Sequence, residues 1–221
     1  MTDLAVLLPF LLQGAVLTVQ VTVLTVPVAA LVALLVGLGR LAPSGLIRLL
    51  ANVYLEVFRG TSVLVQLFVF FFVLPILLGV RWSSMQTAVL ALGLNFGAYG
   101  SEVVRSAVLA VDRGQREAAV ALNMSPLLTL RSVVLPQAFR LMLPPFGNYV
   151  IQLAKATSLT SLVQVQELSF NGYVAIHTTF QTTQILTAVA VIYFVIVFPA
   201  SRAVRWMERR QLRGSLGGLR S

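Results

Sequence analysis

The feature that most restricts this chain is where its charges are missing: residues 4–39, 60–80, 82–101 and 168–201 contain no Asp, Glu, Lys or Arg. Each block reaches the ~20 residues that an α-helix needs to cross a bilayer. A further apolar block, 141–166, holds one charged residue before its end, Lys155, and is also long enough to cross. The chain is 58% hydrophobic and 10% charged, against roughly 25% charged in a soluble domain, so a water-facing surface cannot be built from it. Only helices or closed barrels satisfy backbone polar groups in lipid, and runs of this length belong to helices. The expected fold is therefore all-α, a membrane protein of about five transmembrane helices near 14–39, 56–78, 85–108, 141–164 and 184–207. Residues 1–13, interrupted by Pro9, are expected as an external segment at the interface.

Basic residues orient these spans. The first connection carries Arg40, Arg48 and Arg59, the third carries Arg105, Arg113, Arg116, Arg131 and Arg140, and the C-terminal stretch carries Arg202 through Arg220. The N-terminus has no Lys or Arg before Arg40, and the second connection has only Arg81. The positive-inside rule then sets the N-terminus outside and the C-terminus, with a basic tail at 211–221, in the cytoplasm. The formal charge of +9 reads as loop arginines beside anionic lipid rather than a nucleic-acid surface, because the charges are not clustered on a soluble face. Without cysteine there is no disulfide, thiolate nucleophile or zinc–thiolate site, and no metal site is expected. The start of the chain has neither the basic opening nor the short apolar core of a cleaved signal. No internal repeat is visible, so a pseudo-symmetric pore would need a second subunit.

Between the third and fourth spans lies DRGQREAAVALNMSPLLTLRSVVLPQ, residues 112–137. Glu117, Ala118, Ala119, Ala121 and Leu122 favour a short helix, with Glu117 expected in its first turn. Asn123 suits the left-handed residue that ends a helix, Ser125 can cap a second one, Pro126 suits its first position, and Pro136 is expected to stop it. On pattern alone this is equally an ordinary surface hairpin.

At these residues the chain resembles the integral-membrane permeases of binding-protein-dependent ABC importers, whose loop reads EAA, three residues, G, nine residues, I, one residue, LP. Glu117, Ala118, Ala119, Leu135 and Pro136 match, Val133 stands near the Ile position, and Asn123 replaces the Gly. Asn tolerates the same positive backbone dihedral. EVFRGTSVLVQLF at 56–68, GAYGSEVVR at 97–105 and KATSL at 155–159 resemble further signatures of the polar amino-acid branch, with Ser62 in place of Pro and Ala156 in place of an acid. ALNMSP and LPPFGN resemble permeases for the compatible solute ectoine most closely.

The resemblance implies a type I permease fold over 14–210, in a bacterial plasma (inner) membrane, pairing with a second permease subunit, two ABC ATPase subunits and an extracytoplasmic solute-binding protein. It implies that Glu117, Ala118, Ala119, Asn123, Met124, Ser125, Leu135 and Pro136 belong to the loop that docks on the ATPase. The chain itself is not expected to be an enzyme or to bind a cofactor. A P-loop ends in Lys-Ser or Lys-Thr, and the sole lysine is Lys155, so ATP would be used by the partner.

Lys155 lies 14 residues past Leu141, near mid-membrane at ~1.5 Å per residue. A charge there costs at least ~2.5 kcal/mol unless it meets a cavity or partner. Two readings stay open: Lys155 pairs with Glu102, Glu167 or helix carbonyls, or it lines a solute pathway with Thr157, Ser158 and Gln164, Glu167 serving a solute's cationic group. Arg59 and Arg105 read as anchors at span ends, with Glu56 one turn from Arg59. Thr18, Thr22 and Thr25 share a face and are expected to bond across helices. His177 reads as solvated. An ion-gradient-driven secondary transporter is the rival function, though it calls for more intramembrane carboxylates. An intramembrane hydrolase lacks a His within the spans.

Overall fold

A computed structural model of the chain describes residues 4–217, all of its regular elements helical. The expected tail at 211–221 extends outside the described residues. The first helix, α1 (Leu4–Gly39), contains both Pro9 and Pro27 and is unbroken, so the interfacial segment expected before residue 14 is instead continuous with the span. A proline removes one ladder bond, and a long apolar helix keeps the rest intact. The last helix, α10 (Thr182–Gly217), likewise runs through Pro199.

The second span differs from expectation in its start. Here α2 (Gly45–Gly60) ends at Gly60 and α3 (Val63–Phe68) continues through a wide turn, Val69–Val73, into α4 (Leu74–Leu78). The two arms, Gly45–Gly60 and Val63–Leu78, meet at 102°. Thr61 and Ser62 are both extended, and the Ser62 hydroxyl accepts from the Leu64 amide, so this dipeptide starts a helix rather than continuing one. A break inside lipid leaves helix-end carbonyls without donors. Side-chain amides supply them: Gln66 Nε2 donates to the Phe58 carbonyl at 2.9 Å and to Thr61 Oγ1 at 2.7 Å. Asn95 Nδ2 donates to the same carbonyl at 3.2 Å and to Gln66 Oε1 at 2.9 Å.

Asn95 belongs to α5 (Ser84–Leu109), the helix around which the rest is packed. Its main partner is α1, and the two approach closely because small residues line the seam. A Cβ on Gly93 would lie 2.6 Å from Val28 Cγ1, and one on Gly97 2.5 Å from Val32 Cγ1. Lipid chains are as apolar as leucine, so close packing of this kind, rather than water exclusion, holds such helices together. Two buried clusters flank the seam: Val21, Leu67, Leu92, Leu153 and Val163 on one side of α5's midpoint, and Ala33, Val104, Val134, Ala138 and Met142 on the other.

The second cluster includes α8 (Leu135–Ala156), which passes into a tight turn, Thr157–Val163, and then α9 (Leu168–Thr179). By length and hydropathy, Val6–Gly39 and Thr182–Arg209 qualify alone as membrane-crossing helices, and the bent pair would make a third. The other long helices, α5 and α8, carry the polar residues: Asn95, Ser101 and Glu102 in one, Asn148, Gln152 and Lys155 in the other.

Candidate functional site

Beyond α5 the chain folds into α6 (Arg113–Ala121) and α7 (Pro126–Thr129). Asp112 caps α6, its Oδ1 accepting from the Gly114 amide at 2.7 Å. Glu117 therefore stands one turn further in than expected, because the cap falls on Asp112 and the helix begins at Arg113. The end of α6 is a Schellman turn: Met124 N–H bonds the Ala119 carbonyl at 3.0 Å, Asn123 N–H bonds the Val120 carbonyl at 2.9 Å, and Asn123 has φ 55°. Ser125 caps α7, accepting from the Leu128 amide at 3.4 Å, with Pro126 in the first turn. Pro136 does not end the second helix. A wide turn over Leu130–Val134 joins α7 to α8, and i→i+5 bonding there absorbs the donor that Pro136 lacks.

The hairpin is fixed to the body on one side and open on the other. Ala119 is buried, Leu135 packs on the second core cluster, and an Arg116 guanidinium nitrogen donates to the Val108 carbonyl near the end of α5. Outward stand Glu117, Ala118 and the apolar side chains of Leu122 (76% exposed) and Leu127 (75%). Ser125 and Pro136 are exposed and Met124 is half-buried. Met124 also borders an apolar hollow of ≈ 740 Å³ between the hairpin and the ends of α1 and α5, with Leu38, Val108 and Leu130 among its walls. The hairpin is thus a capped turn that presents apolar side chains beside the Glu117 carboxylate on its open side.

The pathway residues do not form one group. Lys155 and Gln164 are exposed and Ser158 is half-buried, its hydroxyl donating to the Lys155 carbonyl at 2.8 Å. Thr157 is buried and donates to the Ala154 carbonyl at 2.9 Å. Gln164 takes the left-handed conformation, φ 64°, that ends the tight turn. Lys155 pairs with neither expected acid. Glu167 has no exposed surface, and its carboxylate accepts from the Phe170 amide at 3.0 Å, Tyr193 OH at 2.6 Å and Thr18 Oγ1 at 3.3 Å. It caps α9 and ties α1, α9 and α10 together, which leaves no face for a solute's cation. Of the threonine stripe, Thr18 alone bonds across helices, whereas Thr22 and Thr25 return to the Thr18 and Val21 carbonyls of their own helix. His177 is exposed.

One polar cluster escaped the sequence reading. Glu102 on α5 draws two cations to a single oxygen: Arg59 Nη1 donates to Oε1 at 3.3 Å, and Arg40 Nη1 lies 2.8 Å away as an ion pair outside hydrogen-bond geometry. Arg40 Nε also donates to Asn52 Oδ1 at 2.8 Å, and the Arg59 guanidinium sits 5.5 Å from the centroid of the Tyr99 ring. Glu56, expected beside Arg59, is exposed and takes no part. Spacing along one helix suggested Glu56, while the true partner is 43 residues away, across the bend.

A family described as "binding-protein-dependent transport system inner membrane component" matches residues 26–213. The probable amino-acid ABC transporter permease protein y4tF of Sinorhizobium fredii is 40% identical over 201 residues, covering 89% of this chain and 84% of that one. The glutamine transport system permease protein GlnP of Escherichia coli K12 is 38% identical over 204 residues, covering 92% and 93%. A solved chain described as "crystal structure of an amino acid ABC transporter with histidines" shares the fold at TM-score 0.86 and 31% identity, over 95% of this chain and 100% of that one.

Proposed function

Because the chain belongs to the family of binding-protein-dependent transport system inner membrane components, we propose that it works with a second permease subunit, same or similar, as half of the pore of an ATP-driven importer for a polar amino acid. Residues 14–210 are the permease domain. Two relatives that carry amino-acid or glutamine transport in their names support that solute class over ectoine. The observation that carries the reading is the hairpin: the EAA-type residues lie on a capped, braced turn whose Leu122 and Leu127 side chains are left about three-quarters exposed by the described residues.

In this reading the hairpin faces the cytoplasm, where each of two ABC ATPase subunits grips one permease, and an extracytoplasmic binding protein delivers solute to the other end. Closure of the ATPases on ATP moves the hairpin as a rigid piece. Arg116 passes that motion to α5, and the small-residue seam carries it to α1. ATP binds the partner, and this chain supplies docking and displacement. The five-span arrangement in a bacterial inner membrane, with the N-terminus outside, belongs to the same proposal. Since the chain has no cysteine, single cysteines at Leu122 and His177 should label from opposite sides of sealed vesicles. Labelling from the same side contradicts the orientation.

The test of function is uptake by proteoliposomes that hold this chain with its ATPase and binding protein, offered an equimolar mixture of the twenty L-amino acids. Uptake that requires ATP supports the importer. Uptake driven by an ion gradient without ATP replaces it with a secondary transporter.

A further inference from the structure

The hollow beside the hairpin sits where α1 and α5 end, and its walls are apolar apart from one cation. Its ≈ 740 Å³ falls within the ~300–1,000 Å³ of small-molecule sites. Leu38 and Val108 wall it on the side of the helix ends, Val120 and Met124 on the side of the hairpin. Among the described residues a single charged side chain, Arg116, reaches the wall, and no acid does. One of its terminal nitrogens donates to the Val108 carbonyl, its Nε is buried without a partner, and no carboxylate among the described residues pairs with it. A guanidinium set against apolar side chains without a counter-ion favours an anion beside it. The space thus asks for an amphiphile, an apolar body carrying a negative group.

The hollow is also continuous with surface that faces lipid. Ala42 and Pro43 form its edge, and a few residues later Leu46, Leu49 and Leu50 of α2 stand exposed. Exposed leucines on a helix of a membrane chain lie against acyl chains, which are as apolar as they are. An acyl chain can therefore enter from α2 without crossing water, and at the level of the hairpin its phosphate meets Arg116.

We propose that this hollow binds one anionic phospholipid, its acyl chain against Leu38 and Val108 and its phosphate on the Arg116 guanidinium. The site rests on the reading that the hairpin end faces the cytoplasm, whose leaflet supplies anionic lipid. A chain in this gap packs the hairpin against α1 and α5, so that hairpin and body move together.

The experiment is photolabelling of the permease–ATPase complex in neutral detergent with a phosphatidylglycerol that carries a diazirine on its acyl chain, the attached residues being read by peptide mass spectrometry. In wild type the label should fall within 38–43 and 108–134, the segments that wall the hollow. Unlabelled phosphatidylglycerol should compete at least about fivefold better than phosphatidylcholine, the effect of one arginine near a phosphate. Arg116→Gln should bring the two competitors level. Because Arg116 also braces the hairpin, Val120→Trp gives a second arm: it keeps the cation, fills the hollow, and should lose most of the label. A wild-type hollow without label, the outcome if the ATPase or a second permease copy fills it, overturns the site. So does equal competition by the two lipids in wild type, a preference that survives Arg116→Gln, or undiminished label in Val120→Trp. Labelling needs no transport, so a complex that labels as stated while importing nothing overturns the importer reading alone.

Discussion

Two glutamates sit among the helices of this protein and are treated in opposite ways. Glu167 is wholly buried, meets no cation, and is satisfied by an amide and two hydroxyls contributed by α9, α10 and α1. Glu102 is partly exposed, meets two cations on one oxygen, and stands next to unused donors. A buried carboxylate with its lone pairs filled by fixed dipoles is a fastener. A carboxylate shared between competing guanidiniums at a surface can exchange partners when a solute or a neighbouring helix moves. The difference teaches that polarity inside a membrane protein marks function only when some bonding capacity is left over.

The comparison breaks first at Glu167. Glu167→Ala removes a helix cap and two interhelical bonds, each interhelical bond worth ~0.6 kcal/mol on average in membranes, and leaves the Phe170 amide without its acceptor, whereas Thr18 and Tyr193 keep their bonds to Gly14 and Ser169. We expect a loss of about 3 kcal/mol and a clear fall in melting temperature in detergent, with Glu167→Gln recovering part of it. An Ala variant as stable as wild type would show that Glu167 fastens nothing.

How much of this was legible follows from the range of each interaction. The hairpin could be read because its devices are local: Asn123, Ser125 and Pro126 act on backbone within a few residues, and the structure uses each as the sequence suggests. Glu117 was misplaced by one turn since Asp112, an equally good cap, comes first. The continuation through Pro136 depends on a wide turn that no residue type announces. The bend at Gly60 had a signal, Gly followed by Thr-Ser, but hydropathy overrode it because residues 63–80 are apolar apart from Gln66 and carry no charge. Glu102's partners and Glu167's burial depend on contacts across 26 to 149 positions, which helical spacing cannot supply.

The seam between α1 and α5 gives the next effect. Gly97→Val places a Cβ at 2.5 Å from Val32 Cγ1, so the helices must part. Overpacking of this kind costs about 1–3 kcal/mol and should lower both yield and melting temperature. Glu102→Gln sharpens the contrast with Glu167: we expect a smaller loss, about 1 kcal/mol, since both arginines retain other contacts, accompanied by a larger fall in uptake than in stability. Equal falls in both would make Glu102 a fastener like Glu167. Asn95→Ala should cost about 1 kcal/mol by taking a donor from the bend, and its uptake should fall further than that loss explains if the bend moves during transport.

The central claim is that the hairpin at 112–137 joins this permease to its ATPase. Its most direct test is co-purification of the ATPase with wild type and with Glu117→Arg, measured beside ATP-dependent uptake in proteoliposomes. Glu117→Arg should insert and melt as wild type does, because Glu117 is exposed and braces nothing, yet lose the ATPase and the uptake together. Undiminished co-purification and uptake in Glu117→Arg would contradict it.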